Sequence, residues 1–224
     1  MANSLTPSDA NSLKPILEEL YRKRPLSSYA MGQRIPLSDE EVCIIYRGVA
    51  RTQILQDGGE ESILGLVGPM MPLSSSFTLL DAYEVYALTH VDLIRLRYSE
   101  IQKSGVLMRE LNLMLIQRLR HAEAWLALQG KRQTSDRLIG FLSFLAQEYG
   151  RSTAQGIRLD IQLSHQQIAD AIGTTRVTIT NLLGLLRKAS LLKVGPNRHL
   201  HIMGGLFSNY EPHLPIELSF NTSG

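Results

Sequence analysis

The sequence has 224 residues, of which 44% are hydrophobic and 20% charged, and its formal net charge is +2. These values are typical of a soluble globular protein, and no apolar run approaches the roughly 20 residues that a membrane helix needs. The N-terminus lacks the basic flank and apolar stretch of a secretory signal, so we expect a cytoplasmic protein with no membrane partner. The single cysteine, Cys43, excludes an intrachain disulfide and a multi-cysteine metal or iron–sulfur site within one chain.

The net charge is unevenly distributed along the chain. Between residues 151 and 203 there are seven basic and two acidic residues, so this segment carries +5 and the remainder −3. The basic residues are Arg151, Arg158, Arg176, Arg187, Lys188, Lys193 and Arg198. A basic segment on an otherwise acidic chain indicates a polyanionic partner, although such faces are often merely solvated.

The first half of the chain reads as short β-strands. In chain order, we predict a strand at residues 42–47, a strand in the segment VARTQIL after Gly48, and a turn at Asp57-Gly58-Gly59. A further strand is predicted at 62–67, where Gly68-Pro69 ends it, and residues 85–96 form one long alternating run. Short strands with regular turns predict an antiparallel β-roll or jelly roll. We assign residues 1–98 to this β-roll as the sensor domain.

A long helix is predicted for residues 99–131, where the hydrophobic period changes to that of a helix. Its apolar stripe is formed by Leu111, Leu115, Leu119, Ala122 and Leu126. A helix of about 25 to 30 residues spans on the order of 40 Å, which is long for this chain. It either packs on its own β-roll or forms a dimer interface with the same helix of a second copy. We favour the dimer interface because the stripe is longer than a small barrel can cover.

A C-terminal domain is predicted at residues 132–207, after a hinge at 130–135 and before a poorly patterned tail at 208–224. Its first helix carries an apolar face formed by Leu138, Phe141, Leu142 and Leu145, and Gly150 is the expected C-cap. We therefore predict an α+β protein with a β-roll, a dimerisation helix and a C-terminal winged helix.

The segment 163–192 contains a helix-turn-helix pattern. Ser164 and Gln167 form a capping box that begins a short helix, and Gly173 lies where the turn needs a residue tolerant of positive φ. Thr175 caps the second helix, whose core face is formed by Ile179, Leu182, Leu183 and Leu186. After it, LLKVGPNRHLHIM predicts two short strands around a turn, which is a wing.

The exposed face of the second helix is then determined by the same period. The predicted base-reading residues are Arg176, Val177, Thr180 and Asn181. The predicted contacts to the DNA backbone are Ser164, His165, Thr175, Thr178, Lys188, Lys193 and Arg198. The alternative is a winged helix used only for protein contacts, which does not require Arg, Thr and Asn on this face. An enzyme is not expected, because no nucleophile–base pair, metal set or phosphate-binding loop stands out.

Nearly the whole chain resembles the CRP/FNR family of transcription regulators, most specifically in LSHQQIADAIGTTRVTITNLLGLLR. The resemblance implies a homodimer on a palindromic operator, with half-sites about 34 Å apart, and RNA polymerase as a partner. It makes Arg176 the guanine-reading arginine. Val177 matches the nitrogen-control branch of the family, so control of nitrogen or other nutrient genes is expected. Asn181 departs from the arginine of both branches, so the half-site is expected to differ.

Cyclic AMP is not expected to bind. Residues 68–91 contain no Arg or Lys, whereas Asp81 and Glu84 are acidic, and a buried phosphate without a cationic partner is costly. The serine run 74–76 offers hydroxyl donors but is more often a loop. A haem ligand such as His90 or His121 is an alternative, although a lone histidine is usually a surface or hydrogen-bonded residue.

The resemblance to the nitrogen-control branch makes 2-oxoglutarate a possible effector. In that branch an arginine of the long helix and a glutamate of the partner subunit hold the ligand, and Arg118 and Glu123 have the same spacing here. The second arginine of that pocket has no counterpart in this sequence. The alternatives are an ion pair between subunits, charges on a solvated helix face, or a regulator that needs no ligand.

Overall fold

The computed structural model describes residues 24–55, 59, 61–195 and 199–206. The chain divides into two compact units: Met1–Leu55 with Leu66–Arg120, and Gln56–Gly65 with His121–Gly224. Within the described residues, no helix is long and apolar enough to cross a membrane. The predicted turn at Asp57 and Gly58, the backbone contact Arg198 and the tail 208–224 lie outside this part of the chain.

Antiparallel strands form the N-terminal region, as predicted for a β-roll. The strands are β1 (Ser27–Tyr29), β2 (Glu41–Arg47), β3 (Ala50–Leu55), β4 (Glu61–Val67), β5 (Pro72–Leu73), β6 (Tyr83–Ala87) and β7 (Val91–Arg97). One sheet has the order β1-β7-β2-β5 and the other β4-β3-β6. Helices α1 (Tyr98–Gln102) and α2 (Gly105–Gln129) follow.

Strand β2 is buried on both of its faces. Cys43 and Ile45 point into one cluster between the strands, whereas Val42 and Ile44 point into a second cluster that includes Met114 of α2. A strand that is buried on both faces needs apolar side chains at successive positions, and residues 42–45 of β2 have the sequence VCII. The core of this unit therefore has two layers, and the first half of α2 closes the second.

Two predicted boundaries in this region are wrong. The run 85–96 is not one strand but β6 and β7, because the chain turns at Leu88 and Thr89, whose amides both donate to the Val49 carbonyl. The predicted helix 99–131 is interrupted at Lys103 and Ser104. The Ser104 hydroxyl and carbonyl accept hydrogen bonds from the first turn of α2 and so begin a new helix.

The C-terminal unit is a three-helix winged domain. Its elements are α3 (Thr134–Tyr149), β8 (Gly150–Thr153), β9 (Gly156–Leu159), α4 (His165–Ile172), α5 (Arg176–Lys188), β10 (Leu192–Val194) and β11 (Leu200–Ile202). The strands form an antiparallel sheet in the order β10-β11-β9-β8. The predicted wing is the β10–β11 hairpin.

The apolar face of α3 is buried as predicted. Trp125 from the second half of α2 makes edge-to-face contacts with Phe141 and Phe144, at ring-centroid distances of 5.7 and 6.0 Å. Gly150 is the C-cap, but its backbone is extended rather than left-handed. A Cβ there would lie 2.1 Å from the Ala146 carbonyl oxygen, so glycine is required by the close approach of the chain to α3.

Candidate DNA interface

The capping box predicted for α4 is present. The Gln167 amide donates to Ser164 Oγ at 3.1 Å, and the Ser164 amide donates to Gln167 Oε1 at 2.8 Å. At the other end, Gly173 has φ +64°, the left-handed conformation that favours glycine. These local bonds fix where the first helix of the pair begins and where the turn leaves it.

Helix α5 begins at the predicted cap and buries the predicted face. The Thr175 hydroxyl accepts from the Thr178 amide at 3.2 Å. Ile179 and Leu183 are buried, and Leu182 and Leu186 are half-buried. Because four apolar side chains hold one face of α5 against the unit, the opposite face is presented to solvent.

The structure brings the four predicted base-reading residues together on that solvent face. Arg176, Val177, Thr180 and Asn181 are all exposed, and the exposed fraction of Val177 reaches 69%. Val177 therefore presents an apolar surface beside the polar side chains of Arg176 and Asn181, and a thymine methyl group is one partner that such a surface suits. The first turns of α5 therefore offer a bidentate donor, an amide and an apolar contact within one short stretch.

The hydroxyl of Thr180 is already engaged within the domain. It donates to the Arg176 carbonyl at 2.9 Å, and His165 Nδ1 lies 2.8 Å from the same oxygen. With the hydroxyl proton on the carbonyl, Nδ1 carries the proton of that contact and donates to Thr180. The methyl group of Thr180 is then the part of the side chain left for a partner.

The predicted backbone contacts that the structure describes are exposed or half-buried side chains of the same unit. Ser164 and Thr175 are exposed at the two helix N-termini, where amide groups favour phosphate, and His165 and Thr178 beside them are half-buried. Lys188 ends α5 and Lys193 lies in β10, and both are exposed.

Two side chains that sequence reasoning missed hold the helix-turn-helix from outside. Arg137 Nε of α3 donates to the Ile172 carbonyl at 2.9 Å, and Gln129 Nε2 at the end of α2 donates to the Ala171 carbonyl at 2.5 Å. Both satisfy carbonyl groups that the C-terminal end of α4 leaves without helical partners. The bonds join residues 35 and 42 positions apart, so no local sequence pattern indicates them.

The apolar stripe on α2 has two environments. Leu111 is 4% exposed and Leu115 packs against the same core, so both cover the N-terminal strands. Leu119 and Leu126 are 60% and 70% exposed, and Ala122 between them is exposed. The part of the stripe that remains available for a second copy is therefore its second half.

Arg118 is held by its own unit. Its Nη1 donates to the Pro72 carbonyl at 2.9 Å, and its Nη2 donates to the Tyr83 hydroxyl at 2.8 Å. Glu123 is exposed. In the nearby serine run, buried Ser74 donates to the Ser38 carbonyl and accepts from the Ser76 amide, so its hydroxyl serves a local turn.

Cys43 and the two candidate haem ligands have structural surroundings. Burial raises the pKa of the Cys43 thiol to about 11, so the thiol is protonated near neutrality. His90 Nε2 lies 3.2 Å from an Asp92 carboxylate oxygen, and His121 Nε2 lies 3.2 Å from Glu148 Oε2. Among the described residues, no group of three or more His, Cys, Asp or Glu side chains could hold a metal ion.

A helix-turn-helix with an exposed polar face and a β-hairpin wing defines a winged-helix DNA-binding protein. The profile of the Crp-like helix-turn-helix domain matches residues 136–203. The chain is 31% identical to the global nitrogen regulator of Synechococcus elongatus, over 71% of this chain and 76% of that one. It is 32% identical to the regulatory protein CysR of the same species, over 71% and 76%.

Solved structures agree on the fold. A CRP-family transcriptional regulator from Thermus thermophilus has a TM-score of 0.70 at 21% identity, covering 81% of this chain and 94% of that one. This chain belongs to the CRP/FNR family of transcription regulators. Members of the family bind DNA, form dimers and respond to small-molecule effectors, and the relatives are regulators rather than enzymes.

Proposed function

We propose that this protein is a homodimer that binds a palindromic operator and controls genes for nitrogen or another nutrient. The exposed face of α5 carries the proposal, because its four predicted base-reading residues are accessible together while the opposite face is buried. The similarity to global nitrogen regulators supports nutrient control. Regulation at a promoter also implies RNA polymerase as a partner.

Each residue of this face suits a particular base edge. Arg176 can pair with the two acceptors of guanine, and Asn181 can pair with adenine. Val177 and the methyl group of Thr180 suit the thymine methyl group, since the Thr180 hydroxyl is engaged within the domain. The half-site is therefore expected to contain guanine, adenine and thymine at neighbouring positions.

Selection from random duplex DNA tests this proposal. Wild type should enrich a two-fold symmetric motif with half-sites about 34 Å apart. Asn181→Arg should change one position of each half-site from adenine towards guanine. Asn112→Arg, which adds the same charge to an exposed position of α2, should enrich the wild-type motif. If wild type enriches no symmetric motif, the chain is a protein-interaction module instead.

The dimer interface is proposed at the exposed half of the stripe on α2. Leu119, Ala122 and Leu126 recur at steps of three and four and are open to solvent. Contiguous exposed apolar side chains on one helix face favour association with an identical face.

For the effector, two candidates are supported by different observations. The spacing of Arg118 and Glu123 supports 2-oxoglutarate, which would bind Arg118 while Glu123 of a second copy orients the guanidinium group. The bonds from Arg118 to Pro72 and Tyr83 support a structural role and a regulator that needs no ligand. Titrating 2-oxoglutarate into wild type and Arg118→Ala while measuring operator affinity separates them. A response of wild type alone supports the metabolite, and no response at millimolar concentrations supports the structural role.

A further inference from the structure

Two successive hydrogen bonds join the first helix of the helix-turn-helix to α5. His165 is the first residue of α4, and its Nδ1 lies 2.8 Å from the Thr180 hydroxyl oxygen. That oxygen lies 2.9 Å from the Arg176 carbonyl oxygen. Thr180 is one of the predicted base-reading residues, so the imidazole ring lies beside the surface that is proposed to face DNA.

The positions of the protons in these two bonds follow from the chemistry of the atoms. A carbonyl oxygen has no proton to donate, so the contact between Thr180 Oγ1 and the Arg176 carbonyl needs the single hydroxyl proton. The contact between Thr180 Oγ1 and His165 Nδ1 is then a hydrogen bond only if Nδ1 donates. Thr180 therefore fixes the neutral imidazole in the tautomer that carries its proton on Nδ1.

The other ring nitrogen of His165, Nε2, has no proton in this tautomer. Among the described residues, none is hydrogen-bonded to Nε2. A nitrogen that holds only a lone pair accepts hydrogen bonds and repels the anionic oxygens of a phosphate. In the imidazolium form both nitrogens donate and the ring is positively charged. Only the protonated ring can therefore keep the bond to Thr180 and also donate to a phosphate.

We propose that Thr180 is a positioning residue that acts through His165, and that His165 must take up a proton in order to contact a phosphate of the operator. The inference rests on the proposed function, in which His165 is a contact to the DNA backbone. The proton comes from the solvent, and each subunit of a dimer takes up one. Because histidine changes its charge between pH 5 and 8, operator affinity falls as the pH rises through this range.

Helix α4 packs against α3 and α5, which carry further groups that bear on a pH dependence. Besides His165, the charged or titratable residues of the three helices are Asp136, Arg137, Glu148, Tyr149, Asp170, Arg176, Arg187 and Lys188. Burial raises the pKa of Glu148 to about 7, so this carboxyl group also titrates in the range of an imidazole. The decisive comparison is therefore between variants of Thr180, which leave Glu148 and the other histidines unchanged.

The test measures operator affinity at constant salt between pH 6 and pH 8. Wild type should lose affinity on the order of tenfold across this range, because each subunit loses a charge-assisted hydrogen bond. Thr180→Ser keeps the hydroxyl group and should show the same pH dependence. Thr180→Val removes the hydroxyl group, so neutral His165 can carry its proton on Nε2 and donate to the phosphate. The affinity of Thr180→Val should therefore change much less with pH.

Two further measurements separate His165 from other groups. His165→Gln has no titratable group at this position and should lose the pH dependence, whereas the matched control His90→Gln, at an exposed position of the N-terminal unit, should retain it. Nitrogen chemical shifts of the His165 ring at pH 8 report the tautomer without DNA. The proton should be on Nδ1 in free wild type and on Nε2 in free Thr180→Val.

Three results would overturn the inference: equal pH dependence of Thr180→Val and wild type, a pH dependence retained in His165→Gln, or a proton on Nε2 in free wild type. Failure of wild type to bind any operator at any pH defeats the proposed function itself. The chemical shifts would still show whether Thr180 fixes the tautomer of His165.

Discussion

The hydrogen bonds that shape the helix-turn-helix join residues close in sequence, whereas those that hold Arg118 in the N-terminal strand unit join residues far apart in sequence. In α4 and α5, the caps at Ser164 and Thr175 each bond a residue three positions later. In the strand unit, Arg118 reaches Pro72 and Tyr83 across 46 and 35 positions. A base-reading face can therefore be inferred from one short window of sequence, whereas an effector pocket depends on contacts that no window contains.

The largest effect on operator binding is expected from substitutions in the exposed half of the α2 stripe, because an operator with two half-sites needs two copies of the chain. Leu119→Glu/Leu126→Glu would bury uncompensated charge at the proposed interface, so the variant should sediment as a monomer and lose operator binding. Leu79→Glu/Leu80→Glu places the same charges on exposed leucines of the strand unit and should remain dimeric. A dimeric Leu119→Glu/Leu126→Glu variant would mean that the interface lies elsewhere.

Features that depend on neighbouring residues could be predicted from the sequence, whereas features that depend on distant residues could not. Ser164, Gln167, Gly173 and Thr175 were predicted correctly because caps and turns depend on residues within one helical turn. The run 85–96 was predicted as one strand because alternation continues across the turn at Thr89, and only the long-range bond to the Val49 carbonyl marks the break.

The roles of Arg137 and Gln129 in holding the helix-turn-helix could not be predicted for a related reason. A half-buried arginine such as Arg137 looks in the sequence like any polar residue of a first helical turn. Its role depends on the carbonyl groups of Lys131, Ile172 and Gly173, which only the folded chain brings within its reach. The side chain of Arg137 therefore supports a locally encoded motif through contacts that the motif's own sequence does not contain.

The second-largest effect is expected from removing Arg137, which holds the helix-turn-helix through bonds that are distant in sequence. Arg137→Ala leaves the carbonyl at the end of α4 without its charged donor and should lower the free energy of unfolding by about 2 kcal/mol. Urea unfolding measures this, and Arg132→Ala, on an exposed neighbour, is the matched control. Equal stability of the two variants would show that the helix-turn-helix does not depend on the bonds of Arg137.

The third prediction concerns pH and Glu148, which lies beside His121 where α2 packs against α3. Burial raises the pKa of Glu148 to about 7 from an ordinary value of 4.5. The folded state then holds this proton more tightly than the unfolded state, so the contribution to stability is complete below pH 4.5 and is lost as the pH rises through 7. Glu148→Gln should match wild type at pH 5 and melt at a higher temperature at pH 8.5.

Thermal melts across this pH range measure the effect, and Glu40→Gln, which changes an exposed carboxylate, should follow wild type throughout. A Glu148→Gln variant whose melting temperature changes with pH as steeply as that of wild type would assign the pH dependence to another group.

The smallest effect is expected from substitutions of Thr180, which show whether its methyl group or its hydroxyl group contacts DNA. Because the Thr180 hydroxyl is engaged with Arg176 and His165, its methyl group should carry the contact to DNA. Thr180→Val keeps the methyl group and should retain the selected motif, whereas Thr180→Ser should relax a preference for thymine. The opposite pattern in a selection experiment would show that the hydroxyl leaves its internal bonds and contacts a base.

The central claim is that α5 reads DNA through Arg176, and a comparison of operator affinity and selected motif for wild type and Arg176→Ala tests it most directly. Arg109→Ala, an exposed arginine of α2, is the control. The account predicts that Arg176→Ala loses about 1–3 kcal/mol of operator binding and its preference at one base pair of each half-site. An Arg176→Ala variant that binds the operator with wild-type affinity and selects the wild-type motif would contradict it.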